Sequence, residues 1–321
     1  MSNEAASQLQ PPIRVLVIGL GSIGKRHLGL LQELGCDVAA CTKHGLPEVR
    51  CFESIETAVQ THRPEKILIA NATSDHYSTL RQLKSLGVTA DLLVEKPLFS
   101  RPDETQPLEV QQRISVAYNL RFHPAVLALR EVLKAEEPVS AHLYVGMHLS
   151  TWRPGRDYRT TYSASKVQGG GVLRDLSHEL DLGLWLFGSW SRLVAHGGHF
   201  SELEIETEDT VSILWAAERC PKVGVEINYL DRAPRRTILV HTRSHTWEVD
   251  MLGCRLLCDG QVHQSWTIER NTTYLAQDGA WLRGERDVLC SFSEGLAVLH
   301  QIQAIEQSIT REAWVHHSHS S

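Results

Sequence analysis

Ile13-Arg14-Val15-Leu16-Val17-Ile18-Gly19 reads as a buried-strand run that stops on a glycine, and Gly19-Leu20-Gly21-Ser22-Ile23-Gly24 follows at once. A helix pattern then covers 22–34 and closes on Gly35. This order leaves the chain few options. A buried strand has to turn sharply into a helix packed against it. The glycines permit the turn, a close approach to the backbone, and the helix–strand contact. The free N–H groups and positive dipole end of such a helix suit an anion. Three spaced glycines alone are a weak signal, and a glycine-rich turn without a ligand is the alternative. Between a strand and a helix they point to the pyrophosphate of a dinucleotide, held by Gly19, Gly21, Ser22, Ile23 and Gly24.

The alternation continues. Residues 37–41, 66–72, 91–95 and 114–118 read as strands, and 55–62 and 77–86 as helices. Strands and helices at this spacing form βαβ units and a parallel sheet. After residue 120 the texture changes. A helix over 124–133 leads into alternating strands over 139–149, 211–216, 223–229, 236–241 and 246–250, as an antiparallel sheet requires. The expected architecture is therefore α/β: a doubly wound parallel sheet in residues 13–120, then an α+β domain in 121–312 with a large, open, mostly antiparallel sheet. A final helix over 291–310 can pack back on the first domain. Residues 1–12 read as a disordered lead and 313–321 as a His-rich tail.

Composition excludes several classes. A net charge of -6 argues against a nucleic-acid partner. No apolar run approaches the roughly 18 residues of a membrane span, and the start lacks the order of a signal peptide. A cytoplasmic location is expected. The seven cysteines are odd in number and form no C-x-x-C pair, which fits reduced thiols. No His, Cys, Asp and Glu cluster has persuasive ligand spacing, so no metal is expected.

Four further segments carry candidate chemistry. After the second strand comes Cys41-Thr42-Lys43-His44, with no carboxylate. An acidic residue there would bind a free ribose hydroxyl, whereas cations and hydroxyls accept a 2′-phosphate. Thr42 and Lys43, with His44, therefore favour NADP over NAD, although a plain surface lysine would look the same. Asn71, Thr73 and His76 stand at the carboxyl end of a strand, where ligands bind in open α/β sheets, or serve only as helix caps. Glu95-Lys96-Pro97 ends another strand and sets a lysine on the same edge, while Pro97 keeps Lys96 out of helical conformation. Last, Gly169-Gly170-Gly171 opens a helical pattern. There Leu173, Leu176, Leu180, Leu184 and Phe187 share one stripe, and Asp175 and His178 lie on the other side. A carboxylate three residues before an imidazole can orient it for proton transfer. An ordinary amphipathic helix has the same pattern.

The glycine fingerprint, Glu95-Lys96-Pro97, Tyr118-Asn119-Leu120-Arg121-Phe122-His123-Pro124 and the Gly169–Asp181 segment occur in one order. In that combination the chain resembles the glucose–fructose oxidoreductase, inositol dehydrogenase and MocA (Gfo/Idh/MocA) family, with motifs across 13–190. The resemblance implies a Rossmann domain followed by a sheet domain that often forms a dimer or tetramer contact between copies. It implies hydride transfer between NAD or NADP and a hydroxyl or ketone of a sugar or sugar derivative. Lys96, Asp175 and His178 match the family's catalytic positions: His178 as general acid or base, Lys96 polarising the reacting oxygen, Asp175 orienting the imidazole or binding a neighbouring hydroxyl. Glu95, Lys96 and Asn119 are implied at the cofactor, and Arg121, Trp152, Arg153, Arg156 and Tyr158 at the substrate. The commonest family pattern has the histidine four residues after the aspartate. Here the spacing is three, which leaves the division of labour between Asp175 and His178 open. The Ser177-His178-Glu179-Leu180-Asp181 form is similar to members from nonulosonate or surface-polysaccharide pathways. Two rivals remain: a dinucleotide-binding regulator without activity, and a redox-neutral enzyme that keeps its cofactor.

Overall fold

The structure, a computed structural model, describes residues 11–43, 45–100, 114–153 and 155–317. The lead up to residue 10, His44, residues 101–113, Pro154 and the tail from residue 318 lie outside the described residues. The first half runs β1 (Arg14–Ile18), α1 (Ser22–Glu33), β2 (Asp37–Cys41), β3 (Arg50–Phe52), α2 (Ile55–His62), β4 (Lys66–Ile69), α3 (Thr73–Ser85), β5 (Asp91–Val94) and β6 (Ile114–Val116). These strands pair in parallel in the order β3-β2-β1-β4-β5-β6. After Arg14, strand β1 is apolar because both faces are covered. Val15 and Val17 pack with Leu28 and Leu31 of α1, while Leu16 and Ile18 pack with Ala58 of α2 and Leu80 and Leu83 of α3. The order reverses at β1, between β2 and β4, and a crevice opens at the carboxyl ends of such strands.

The second half runs α4 (Pro124–Val132), β7 (Pro138–Gly146), α5 (Val172–Asp175), α6 (His178–Phe187), β8 (Trp190–Gly198), β9 (Thr210–Ala217), β10 (Val223–Asn228), β11 (Arg235–Thr242), β12 (Thr246–Asp250), β13 (Arg255–Cys258), β14 (Gln261–Ser265), α7 (Thr272–Arg283), β15 (Cys290–Ser291), α8 (Phe292–Arg311) and β16 (Val315–His316). Its sheet has the order β14-β13-β12-β11-β7-β10-β9-β8-β16. All neighbours are antiparallel except β7 and β10. Helices α4, α6 and α8 pack against this sheet. Val223, Val225 and Ile227 alternate inward along β10. Helix α8 begins with a capping box in which the Ser291 hydroxyl accepts the Glu294 N–H, and the Glu294 carboxylate accepts the Ser291 N–H. It reaches both β6 and β8.

Several features depart from the sequence-based expectation. The short β15 returns from residue 290 to pair antiparallel with β6. Strand β8 and helix α7 were not anticipated. Helix α7 buries the polar Gln277 and Asp278 beside Ala280 and Trp281, which blurs any apolar period. The helix expected after Gly171 is also two helices, α5 and α6, separated at Leu176 and Ser177. Its polar side does not face water, since Glu179 and Asp181 are buried.

Candidate active site

The turn between β1 and α1 is built for close approach. Gly19 has φ +94°, and a Cβ there would lie 2.5 Å from the Asn71 nitrogen. A Cβ on Gly24 would collide with the Gly19 carbonyl oxygen, whereas a Cβ on Gly21 would meet nothing within 4 Å. Gly21 caps α1 without a side chain, and the first turn holds no acidic residue. The N–H groups at this end are thus left for a ligand, and the space beside Gly21 fits a pyrophosphate. Ser22 is exposed and Ile23 half-buried at the same edge. At the end of β2 the Thr42 N–H donates to the Phe52 carbonyl at 2.9 Å, and Lys43 is exposed. Asn71 donates to Thr79 at 2.8 Å, leaving its own carbonyl oxygen buried without a partner. Thr73 opens α3. His76 turns inward: its Nδ1 bonds the Leu98 carbonyl at 3.1 Å, and burial lowers its pKa. It props the turn after Pro97.

Lys96 follows β5 and precedes Pro97. Its N–H donates to its neighbour's carboxylate, Glu95 Oε2, at 3.0 Å. Glu95 Oε1 takes His27 Nε2 at 2.9 Å, and His27 Nδ1 meets Asp278 Oδ2 at 2.8 Å. Burial alone would lower the His27 pKa, but the two carboxylates, Asp278 first, push it up to about 10. His27 is therefore a buried imidazolium that ties α1, the end of β5 and α7 together. Sequence reading missed it, because its second partner lies 251 residues away.

The Lys96 side chain crosses to the other half, where Nζ donates to the backbone carbonyl of Asp175 at 2.8 Å. Burial lowers its pKa against the opposing pull of Asp175 and Glu95, and Arg236 lowers it further. The Asp175 carboxylate accepts the Tyr229 hydroxyl at 2.6 Å. Tyr162 lies beside the same carboxylate; desolvation, then the Asp175 charge, raise its phenol. Neither tyrosine was singled out from sequence. His178 stands at the start of α6 with the Tyr118 ring edge-on at 5.5 Å. Its Nδ1 is buried without a partner. Burial, Lys96 and Arg236 hold its pKa well below the usual histidine value. Because α5 ends at Asp175, the expected bond between this carboxylate and the imidazole is replaced by the bond to Tyr229. Arg236 is itself paired with Glu179, at 2.6 and 2.9 Å.

The remaining candidates divide. Asn119 donates to Thr273 of α7 at 2.7 Å. Arg121 is 1% exposed and spends its donors on Asp181, at 2.6 to 3.1 Å, and on Glu294, at 2.9 Å. It joins α6 to α8 in the interior. Trp152 meets Tyr229 edge-on at 5.1 Å, and the Arg153 guanidinium lies 5.2 Å from the centre of the Tyr162 ring. Trp152, Arg153, Arg156 and Tyr158 line one small cavity. The structure thus brings Lys96, Asp175 and His178 together beside Tyr229 and the 152–158 loop.

Residues 13–113 match the model of an oxidoreductase family with an NAD-binding Rossmann fold, and residues 126–248 match that of the GFO/IDH/MocA C-terminal domain. A search of the curated proteins returned no match. Among solved structures, UDP-N-acetylglucosamine 3-dehydrogenase from Acidithiobacillus ferrooxidans has a TM-score of 0.78 at 18% identity, over 94% of this chain and 99% of its own. The WlbA dehydrogenase from Bordetella pertussis, in complex with NADH and UDP-GlcNAcA, has a TM-score of 0.78 at 16% identity, over 96% and 100%. Levoglucosan dehydrogenase, in complex with NADH, has a TM-score of 0.80 at 16% identity, over 95% and 99%. At these identities the likeness is one of fold. Among the described residues, no helix is long and apolar enough to cross a membrane.

Proposed function

The chain belongs to the Gfo/Idh/MocA family of oxidoreductases, and on that premise we propose that it interconverts a hydroxyl and a ketone on a sugar or sugar derivative by hydride transfer. The observation that carries this reading is the meeting of Lys96, Asp175 and His178 at the carboxyl edge of the first sheet, the edge that also holds the glycine turn. The sugar dehydrogenases among the structural neighbours support the substrate class.

A bound nicotinamide supplies the hydride acceptor or donor. This chain's residues handle the proton and the geometry. With its pKa lowered, Lys96 Nζ is suited to meet the reacting oxygen. In oxidation its neutral amine takes the hydroxyl proton as the C–H hydride leaves and the C=O bond forms; in reduction the ammonium returns that proton. Asp175 fixes Nζ through its main-chain carbonyl, and Tyr229 fixes Asp175. His178 hydrogen-bonds the same oxygen or its neighbour as a neutral imidazole. Lys96 and Arg236 both oppose a positive charge on it. Groups of this kind contribute about 10²–10⁴ in rate.

NADP is the preferred cofactor in this reading, with Lys43 on the 2′-phosphate and NAD as the alternative, because the end of β2 offers an exposed lysine and no carboxylate. Affinities of wild type and Lys43→Ala for both cofactors test it; an unchanged preference contradicts it. The second sheet pairs copies of the chain, which light scattering would show as a dimer or tetramer; a monomer contradicts it. The reaction is tested by the absorbance of reduced nicotinamide on mixing protein, cofactor and a panel of sugars. Turnover in wild type and its loss in Lys96→Ala support the proposal. Partner capture that responds to NADP, without turnover on any sugar, points to a regulator instead.

A further inference from the structure

Arg153 and Arg156 stand beside the site without a counter-charge. The Arg156 N–H donates to the Arg153 carbonyl at 3.0 Å, and both residues line the same cavity. Arg153 rests on the Tyr162 ring. Among the described residues, neither guanidinium has an ion pair or a side-chain hydrogen bond. Other arginines nearby are neutralised: Arg159 by Asp157 at 2.8 Å and Glu204 at 2.9 Å, Arg235 by Asp231 at 2.9 Å, and Arg236 by Glu179 at 2.6 Å. The one acidic residue within the 152–158 loop is therefore already spent on Arg159.

The cavity these two arginines line also carries Trp152, Tyr158, Thr161 and Ser163, and no carboxylate. The Trp152 indole N–H is a buried donor without an acceptor. The wall thus offers cations and donors and asks for acceptors. It adjoins the reacting groups, because Trp152 packs on Tyr229, and Tyr229 bonds Asp175. A guanidinium fork recognises a carboxylate or a phosphate through parallel charge-assisted hydrogen bonds.

We infer that this cavity is the subsite for a negatively charged group of the substrate, a carboxylate or phosphate borne by the sugar, held by Arg153 and Arg156. The inference rests on the hydride-transfer reading for the substrate's other end and deepens it: the substrate is an acidic sugar or a sugar phosphate.

The test pairs neutral sugars with their charged forms, glucose against glucuronate and against glucose 6-phosphate, in the cofactor-reduction assay. Arg153→Gln, Arg156→Gln and the double variant are compared with wild type, and the dinucleotide Kd of each confirms that the fold is kept. The expected result is a kcat/KM ratio of charged over neutral sugar that falls about 10- to 100-fold in the double variant, chiefly through KM, as removal of a hydrogen bond to a charged group does. The uronate and phosphate arms tell which anion is preferred. A ratio near one in wild type, or equal losses for charged and neutral sugars, overturns the subsite. Thermal shifts of the cofactor-loaded protein separate the two readings. A shift by glucuronate or glucose 6-phosphate that the double variant loses, without turnover, keeps the subsite and sinks the reaction. Equal shifts in wild type and variant sink the subsite.

Discussion

Lys96 Nζ lies 2.8 Å from the main-chain carbonyl oxygen of Asp175, a bond that crosses from the end of β5 to the end of α5. The lysine is thereby held in place by an acceptor that does not titrate. Its proton affinity is set by burial and by the charges around it.

The pH dependence follows with a definite sign. Oxidation needs Lys96 neutral, so kcat/KM should rise with pH and level off above a pKa that lies below the ordinary lysine value. The Arg236 charge lowers both Lys96 and His178. Arg236→Met should move the rising limb to higher pH, and Arg236→Lys, which keeps the charge, should largely restore it. A limb that stays in place or moves down contradicts the role of this field.

Tyr229→Phe removes the 2.6 Å donor from the Asp175 carboxylate while keeping the ring against Trp152. We expect kcat to fall about tenfold, and chemical denaturation to show a loss of about 1.5–3 kcal/mol, the usual worth of a hydrogen bond to a charged group. An unchanged kcat would remove Tyr229 from the site.

Gly21→Ala separates folding from binding. The new methyl meets nothing within 4 Å, so the melting temperature should hold. The dinucleotide Kd, read by fluorescence titration, should weaken at least tenfold if that space belongs to the pyrophosphate. Gly24→Ala should cost stability as well, since its methyl meets the Gly19 carbonyl. Unaltered binding in Gly21→Ala would displace the cofactor from this turn.

The β1–turn–α1 unit was legible because all its signals are local: an apolar strand, spaced glycines and a helical period over adjacent residues. Lys96 was legible for the same reason, as a residue at a strand end before a proline. The links that position these groups are not local. His27 finds Asp278 across 251 residues, β15 returns to β6 from the far end of the chain, and the parallel pairing of β7 with β10 leaves no mark on either strand. The break at Leu176 and Ser177 was missed because the leucine stripe continues across it. One helical wheel extended over that break put Asp175 within reach of His178; the structure shows its main-chain carbonyl bonded to Lys96 and its carboxylate to Tyr229. Arg121 sits in a motif that suggested substrate, yet its partners Asp181 and Glu294 are set by packing.

The buried Glu95–His27–Asp278 group predicts how stability varies with pH. The His27 pKa is raised in the folded state from 6.5 to about 10. Its contribution is fully present below 6.5 and is lost as pH rises through about 10. The melting temperature should fall over that window. Asp278→Asn should flatten the fall and lower stability by about 3–5 kcal/mol, the cost of breaking a buried pair. Circular-dichroism melts across the window decide it; a melting temperature that rises with pH contradicts a charged His27.

In the proposed reaction, hydride leaves a substrate carbon while Lys96 takes the proton. A single-turnover experiment with a sugar deuterated at the reacting carbon, followed by the absorbance of reduced nicotinamide, tests it most directly. A primary isotope effect is expected in wild type, and in Lys96→Ala a dinucleotide that still binds but is reduced at least a hundredfold more slowly, as loss of a general acid–base group implies. Reduction by Lys96→Ala at close to the wild-type rate would contradict it.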